Sequence, residues 1–160
     1  MSNITIREAT KKDSNIILGF IKELAKYEKA ENEVIATESS IANSLFNSGS
    51  STKAIICEKN GTPIGFAVYF FNYSTWLGRH GLYLEDLYVS ATERGSGAGK
   101  SLLKYLAQLA VSKGCGRFEW SVIDWNQPAI KFYDSLGAKP QNEWITYRLS
   151  GEELRNLAES

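Results

Sequence analysis

The stretch that decides the fold is LYLEDLYVSATERGSGAGKSLLKYL, from Leu82 to Leu106. It begins as an apolar run of strand length, which Glu85 and Asp86 interrupt. Only Gly, Ser and Ala stand between Arg94 and Lys100, and leucines then recur at helical spacing. Small residues at a helix start let an anion approach backbone N–H groups that lack intrahelical partners, and the helix dipole favours negative charge there. The stretch therefore predicts a pyrophosphate site at the glycine-rich loop.

Spacing separates three kinds of glycine loop. A nucleotide-binding P-loop needs G-x-x-x-x-G-K-[ST], and Arg94 stands where its first glycine belongs. A dinucleotide-binding loop needs G-x-G-x-x-G, and Lys100 occupies its third glycine position. The remaining pattern is R-x-x-G-x-G, which Arg94, Gly97 and Gly99 satisfy. A glycine-rich helix start without a ligand stays open as the alternative for the loop taken alone.

Length, charge and cysteine content narrow the class of protein. The 160 residues are 43% apolar, which predicts one globular domain over residues 1–160. Lys+Arg and Asp+Glu number 18 each, so charge alone favours neither nucleic acid nor a membrane surface as a partner. Two cysteines give no disulfide framework, and no run resembles a signal core or a membrane span. We therefore expect a cytoplasmic protein without a nucleic-acid or membrane partner.

Apolar periodicity predicts alternating strands and helices along the rest of the chain. The predicted strands cover residues 4–6, 53–58, 63–71, 82–89, 118–122 and 144–149, and the predicted helices cover 16–27, 37–46, 102–110 and 129–136, with a last helix after Ser150. Asn60-Gly61 predicts a tight hairpin because both residues tolerate positive φ. Early hairpins and late crossovers imply an α/β fold of the mixed α+β type, with a mixed sheet and helices on both faces.

A second motif, N-x-x-A-x-x-F-Y-x-x-x-G-A, runs from Asn126 to Ala138. Together with R-x-x-G-x-G it resembles the GNAT superfamily of N-acetyltransferases, and the resemblance covers nearly the whole chain. KELAKYEKAENEV, YSTWLGRHGLYLEDLYV and GCGRFEWSVIDWNQPAIKFYDSLGA are similar to the diamine acetyltransferase branch, which holds spermidine/spermine and thialysine acetyltransferases. YSTW and DWNQ look more like the thialysine type. The resemblance implies a mostly antiparallel central sheet flanked by helices, acetyl-CoA as cosubstrate, no metal, and a homodimer.

The resemblance also assigns expected roles to residues. The cofactor contacts would come from Leu87, Tyr88, Val89, Arg94, Gly95, Ser96, Gly97, Ala98, Gly99, Lys100, Asn126 and Ala129. The acceptor contacts would come from Tyr27, Glu28, Glu85, Glu119, Trp120 and Ser121. Tyr133 matches the general acid of the family, and Glu85 matches a residue implicated in acceptor binding and deprotonation.

The chemistry of amine acetylation needs these residue types. An alkylammonium acceptor has a pKa near 10.4, so a carboxylate such as Glu85 is needed to accept its proton, directly or through water. Full proton transfer from Tyr133 to the leaving thiolate is uphill by about 2 kcal/mol, so a strong hydrogen bond fits this tyrosine better. Cys57 is predicted to be a core residue of a strand, and Cys115 has no obvious base beside it. An acetyl-cysteine intermediate is therefore poorly supported, and direct transfer in a ternary complex is favoured.

The acceptor is expected to be a small molecule with a primary amine. The carboxylates Glu28, Glu31, Glu33, Asp86 and Glu143 would attract a cationic substrate. Ser74 and Thr75 are neutral where the polyamine enzymes carry an acid, so we expect a thioether amino acid or short diamine rather than a long polyamine. A non-catalytic acetyl-CoA-binding module, and an enzyme that acetylates a protein amine, remain as alternatives.

Overall fold

The computed structural model describes residues 3–160 as two compact units, an N-terminal unit that ends at Ile123 and a C-terminal unit that begins at Asp124. The N-terminal unit contains β1 (Ile4–Glu8), α1 (Ser14–Tyr27), α2 (Glu38–Leu45), β2 (Thr52–Lys59), β3 (Thr62–Ser74), β4 (Arg79–Val89), α3 (Ala98–Ser112) and β5 (Phe118–Trp120). The C-terminal unit contains α4 (Gln127–Ser135) and α5 (Gly151–Glu159). That the whole chain forms a single domain stays a prediction.

The five strands form one sheet in the order β1-β2-β3-β4-β5. The first four pair antiparallel, and β5 joins β4 in parallel. Asn60 at φ 51° and Gly61 at φ 83° make the turn between β2 and β3, as their sequence predicts. The expected mixed, mostly antiparallel sheet with helices around it is confirmed.

Helices cover both faces of this sheet. On one face α1 and α2 pack on a core built by Ile17, Phe20, Ile41, Ala54, Ile56, Phe66 and Tyr88. Val68 packs against the same core, whereas its neighbour Tyr69 interacts electrostatically with Tyr105 of α3. Because side chains alternate along a strand, α1 and α3 lie on opposite faces. Leu102 and Leu106 of α3 are fully buried, and none of the helices in residues 3–160 is long and apolar enough to span a membrane.

Several element bounds differ from the sequence prediction, and three differences concern the strands of the second half of the fold. The hairpin of β3 and β4 pairs as far as Ser74 and Arg79, because backbone pairing continues through polar residues that do not resemble a strand. The strand β5 ends at Trp120 instead of residue 122. The prediction of a strand at 144–149 is wrong, since no strand is found there. Alternating residue types favour a strand only where a neighbouring strand supplies a ladder, and the described C-terminal unit contains none.

Candidate active site

The strands β4 and β5 separate part of the way along their length. They pair only at Leu82–Phe118, Tyr83–Glu119 and Leu84–Trp120, whereas β4 continues to Val89. From Asp86 to Val89 the backbone of β4 pairs with β3 on one side, and no other described strand pairs with it on the opposite side. An open strand edge presents N–H and C=O groups to which an extended ligand can add as a further strand. The predicted cofactor contacts Leu87, Tyr88 and Val89 lie on this edge.

A β-bulge at Glu85 redirects the acidic residues of β4. Val68 pairs with Asp86 while Tyr69 pairs with Leu84, so Glu85 is the extra residue on β4. Residues directly opposite each other in an antiparallel pair share a face, so Asp86 lies on the face of Val68, which is the α1 face. Leu84 stays buried on the α3 face. The bulge thus aims Glu85 and Asp86 toward the end of α1.

Three carboxylates meet at this point. Asp86 is partly buried, and burial, followed by the negative charges of Glu85 and Glu28, raises its pKa from 3.8 to about 6. Burial also raises the pKa of Glu28, which follows the last residue of α1. A cation placed among these groups would relieve their repulsion and replace the water that burial removes. The cluster of Glu28, Glu85 and Asp86 therefore fits an ammonium group, and the predicted acceptor residues Glu28 and Glu85 lie together in it.

The glycine loop lies between β4 and α3. Gly95 and Gly97 have φ of 84° and 89°, a backbone conformation that side chains with a Cβ adopt at a cost. Gly97 is the N-cap of α3, and Ser101 donates its N–H to the Gly97 carbonyl. A Cβ added at Gly97 would meet no protein atom within 4 Å, so glycine is required there by backbone conformation and not by crowding. The N–H groups of the first turn of α3 lack intrahelical acceptors, as an anion site requires.

Arg94, at the start of this loop, has its side chain turned back onto β4 and α1. Its guanidinium lies 4.8 Å from the ring centroid of Tyr27 and 5.5 Å from that of Tyr88. Its Nε donates to the Val89 carbonyl at 3.3 Å, and the Tyr88 hydroxyl donates to Glu23 of α1 at 3.2 Å. Cation–π contacts of this kind hold neighbouring elements in place. The glycine loop and the end of α1 are therefore connected, which brings Tyr27 close to this loop.

The predicted acceptor residues on β5 divide between the two faces of the sheet. Glu119 lies beside Tyr83, and the Tyr83 hydroxyl is 2.9 Å from Ser121 Oγ. Trp120 points to the opposite face, where its ring lies 5.0 Å from that of Phe118. Glu119 and Ser121 are thus on the face of Glu85, and Trp120 is not. The sequence prediction missed Tyr83, although it stands two residues before Glu85 in a strand, a spacing that indicates the same face.

The second motif forms α4 in the C-terminal unit. The side chain of Asn126 accepts a hydrogen bond from the Ala129 N–H at 3.4 Å and so caps the helix. Asn126, Ala129 and Tyr133 follow one another at intervals of three and four residues, which places them along one side of α4. Tyr133 is partly buried, with its ring 5.8 Å from that of Phe132. The motif therefore gathers its predicted cofactor residues and the predicted general acid on one helix.

Cys57 is not placed for covalent catalysis. Cys57 is fully buried in β2, as predicted, and burial raises its pKa to about 11. A thiol that is buried and protonated at neutral pH is a poor nucleophile. Cys115 is partly buried just after α3, where its N–H donates to the Ala110 carbonyl.

Comparison with known proteins identifies the class. Residues 20–138 match the model of the Acetyltransferase (GNAT) family. Thialysine N-epsilon-acetyltransferase of Sus scrofa is 37% identical over 99% of both chains, and L-ornithine N5-acetyltransferase of Arabidopsis thaliana is 33% identical over 95% of this chain and 86% of that protein. An integron cassette protein from V.cholerae has a TM-score of 0.82 and 32% identity over 98% of both chains. The chain belongs to the GNAT family of acetyltransferases and is an enzyme of that family.

Its place within the family follows from the same relatives. A spermidine/spermine N(1)-acetyltransferase-like protein of Homo sapiens is 34% identical over 99% of this chain, which covers 24% of the human protein. With the thialysine enzymes, this match puts the chain in the branch of diamine and thialysine acetyltransferases. The two sequence motifs predicted the family, and the longer segments similar to diamine acetyltransferases predicted the branch. Both predictions are confirmed. The individual roles of the site residues stay predictions.

Proposed function

We propose that this protein transfers the acetyl group of acetyl-CoA directly to a primary amine of a small molecule in a ternary complex. The observation that carries the proposal is the bulge at Glu85, which turns Glu85 and Asp86 toward Glu28 beside an open strand edge and a glycine loop. A cationic acceptor needs negatively charged surroundings, and an anionic cofactor needs hydrogen-bond donors or positive charge. The N-terminal unit offers the first at the acidic residues of β4 and the second at the glycine loop that follows β4. The names of the thialysine and ornithine relatives support an amine on a flexible chain.

The residues of the glycine loop, of the β4 edge and of the start of α4 fit acetyl-CoA. The first turn of α3 and the left-handed Gly95 and Gly97 offer N–H groups and space to a pyrophosphate, with Lys100 adding positive charge. The edge of β4 at residues 87–89 offers backbone pairing to the pantetheine arm. Asn126 and Ala129 at the start of α4 are proposed as the remaining cofactor contacts. When bound, acetyl-CoA supplies an activated acetyl thioester.

The acidic pair of β4 is proposed to prepare the amine. An alkylammonium has a pKa near 10.4 and is not nucleophilic until it loses a proton. Glu85 is exposed on the bulge and reaches the acceptor, whereas Asp86, with a pKa of about 6, holds a proton more tightly than an ordinary Asp. Because the two carboxylates interact, they act as a pair that binds the ammonium and takes up its proton. Tyr133 is proposed to hydrogen-bond the departing thiolate sulfur. The burial of Cys57 supports direct transfer without an acetyl-cysteine.

The glycine loop gives a test of cofactor binding. Gly97→Leu should raise the Kd for acetyl-CoA by about tenfold or more, because the side chain would protrude into the space beside the α3 N-terminus and strain the N-cap. Gly49→Leu is the matched control, since Gly49 has a φ of 90° and equally open surroundings far from the loop in sequence. Titration calorimetry measures both Kd values. Equal affinities in the two variants would reject the loop as the pyrophosphate site.

We further propose a homodimer in the cytoplasm, on the resemblance to the diamine acetyltransferase branch. The C-terminal unit has large apolar side chains that are mostly exposed, among them Ile145 at 79%, Tyr147 at 94% and Leu157 at 63%. A second copy would remove part of this apolar surface from water. Light scattering at micromolar concentration should give twice the mass of one chain. A monomeric mass would contradict the homodimer and leave the proposed reaction unaffected.

A further inference from the structure

Arg117, which directly precedes β5, is held in a fixed position. Its Nη2 donates to the Tyr73 carbonyl at 3.0 Å, and its Nε lies 3.0 Å from Glu119 Oε1. Its aliphatic part lies over Gly81, where an added Cβ would be 2.9 Å from Arg117 Cγ. Glycine at this position lets the arginine lie flat against β4. A guanidinium fixed in this way loses less conformational entropy when it binds an anion.

The pair of Arg117 and Glu119 lies on the same face of the sheet as Glu85. Glu119 is beside Tyr83 in the parallel ladder, and the Leu82 N–H donates to the Arg117 carbonyl at 3.0 Å. The distance from Glu85 is thus two residues of β4 to Glu119 and about four residues to Arg117. At about 3.3 Å per residue, the offsets along the strand direction are about 7 and 13 Å. A line of charged groups therefore runs along β4 from the acidic pair to the arginine.

Both side chains of the pair are partly exposed. The Arg117 side chain is 36% exposed and the Glu119 side chain 38% exposed. An exposed ion pair contributes little to the free energy of folding. Each of the two side chains can therefore leave its partner and bind an opposite charge of a ligand at small cost. The Tyr83 and Ser121 hydroxyls, 2.9 Å apart, lie next to Glu119 and add hydrogen-bonding groups. The arrangement offers one cationic, one anionic and two neutral polar groups within a short span.

We infer that Arg117 and Glu119 recognise the α-amino-acid end of the acceptor, with Arg117 binding the carboxylate and Glu119 the α-ammonium. The inference rests on the proposed function, because it places the reacting amine at Glu85 and Asp86. An extended chain of about five bonds between the reacting nitrogen and the α-carbon spans about 6 Å, which matches the offset along the strand between Glu85 and Glu119. A diamine lacks the carboxylate that Arg117 would bind. The acceptor class is therefore an α-amino acid with an amine at the end of its side chain.

Three related acceptors separate the two recognition groups. They are thialysine, its decarboxylated diamine, and its deaminated acid, which keeps the carboxylate but lacks the α-amine. Arg117→Gln should lower kcat/KM about tenfold for thialysine and the deaminated acid, and change it little for the diamine. Glu119→Gln should lower kcat/KM about tenfold for thialysine and the diamine, and change it little for the deaminated acid. A role limited to stability would lower all three values together.

Arg79→Gln is the matched control, since Arg79 is an exposed arginine at the start of β4 outside the proposed site. It removes the same charge and should leave the ranking of the three acceptors unchanged. The inference would be overturned if Arg117→Gln and Glu119→Gln each lowered kcat/KM equally for all three acceptors. It would also be overturned if Arg79→Gln lowered kcat/KM for thialysine and the deaminated acid but not for the diamine. Circular dichroism checks that Arg117→Gln folds, and Glu119→Gln provides an independent variant if it does not.

The outcome is separable from the proposed function. Acetylation of the diamine without the selective losses would overturn this inference and leave the proposed function intact. If none of the three acceptors consumes thioester, the proposed function fails for this substrate class. Calorimetry of thialysine with the protein–CoA complex then decides the inference, because binding that either site variant weakens supports it. Binding that neither variant changes, or no binding, overturns it.

Discussion

Asp86→Asn is expected to yield a protein that is more stable and far less active. The amide has the shape of the carboxylate but carries no charge, so it removes the repulsion with Glu85 and Glu28 and the cost of burying a charge. The gain in stability at neutral pH should be about 1–3 kcal/mol, from a rise in pKa of roughly two units. The amide cannot accept a proton, so kcat/KM for the amine should fall about 100-fold.

The pH dependence of stability has a definite sign. The pKa of Asp86 rises from 3.8 to about 6 on folding, so between these values the folded protein binds more protons than the unfolded chain. The contribution of this group to stability is therefore greatest below that window and is lost as the pH rises through it. Asp86→Asn should abolish this part of the pH dependence. Activity in the natural protein should instead decrease as the pH falls below about 6 and the acidic pair takes up a proton.

Thermal unfolding between pH 4 and 8 measures the pH dependence of stability, and kcat/KM over the same range measures the pH dependence of activity. Steps of about half a pH unit or less resolve the expected change near pH 6. Asp134→Asn is the matched control, because Asp134 is exposed on α4 in the C-terminal unit. It should change neither quantity. A destabilised Asp86→Asn protein would show that the carboxylate is a structural partner, and natural activity in that variant would exclude it from catalysis.

Tyr133→Phe is expected to lower turnover by about 100-fold or more and to leave acetyl-CoA affinity nearly unchanged. The hydroxyl is proposed to act only as negative charge develops on the leaving sulfur, so its loss removes an interaction of the transition state and not of the ground state. A thiol with a pKa near 8.5 leaves more readily when a donor such as Tyr is in position. The ring of Phe preserves the packing against Phe132.

Single-turnover kinetics and calorimetric titration with acetyl-CoA separate the two effects of this substitution. Tyr147→Phe serves as control, since Tyr147 lies in the same unit and is 94% exposed. That variant should behave like the natural protein. A Tyr133→Phe enzyme with natural turnover would show that another group assists the leaving thiolate. A loss of acetyl-CoA affinity equal to the loss of turnover would mean that Tyr133 mainly binds the cofactor.

Local sequence patterns predicted the parts of the fold that local physics decides. Asn60 and Gly61 form their turn because their backbone conformation is nearly independent of the rest of the chain. The glycine loop was predictable for the same reason, since Gly95 and Gly97 adopt positive φ immediately before a helix. Alternation alone did not suffice at 144–149, because a strand there needs a ladder partner that the sequence pattern does not provide.

The site depends on pairing between distant segments and was less predictable. The bulge at Glu85 arises from how β4 aligns with Val68 and Tyr69 of β3, and no residue of LYLEDLYV reveals that register. From the sequence, Asp86 was predicted only as one of several carboxylates that attract a cation. Its raised pKa was not predictable, because it follows from burial and from carboxylates that are close only in the folded structure. Arg117 was missed since its role depends on Gly81, 36 positions earlier, which leaves room for it beside Glu119.

The proposed reaction moves an acetyl group from acetyl-CoA to a primary amine. The direct test is thioester consumption by the purified protein with thialysine, a short diamine and spermine under one set of conditions, with the product identified by mass spectrometry. We expect an N-acetylated product and the highest kcat/KM for thialysine or the short diamine. Spermine preferred by about tenfold, or about 1.4 kcal/mol, would contradict the acceptor class. If the protein consumes thioester with none of these amines, the proposed acetyl transfer to a small primary amine is wrong.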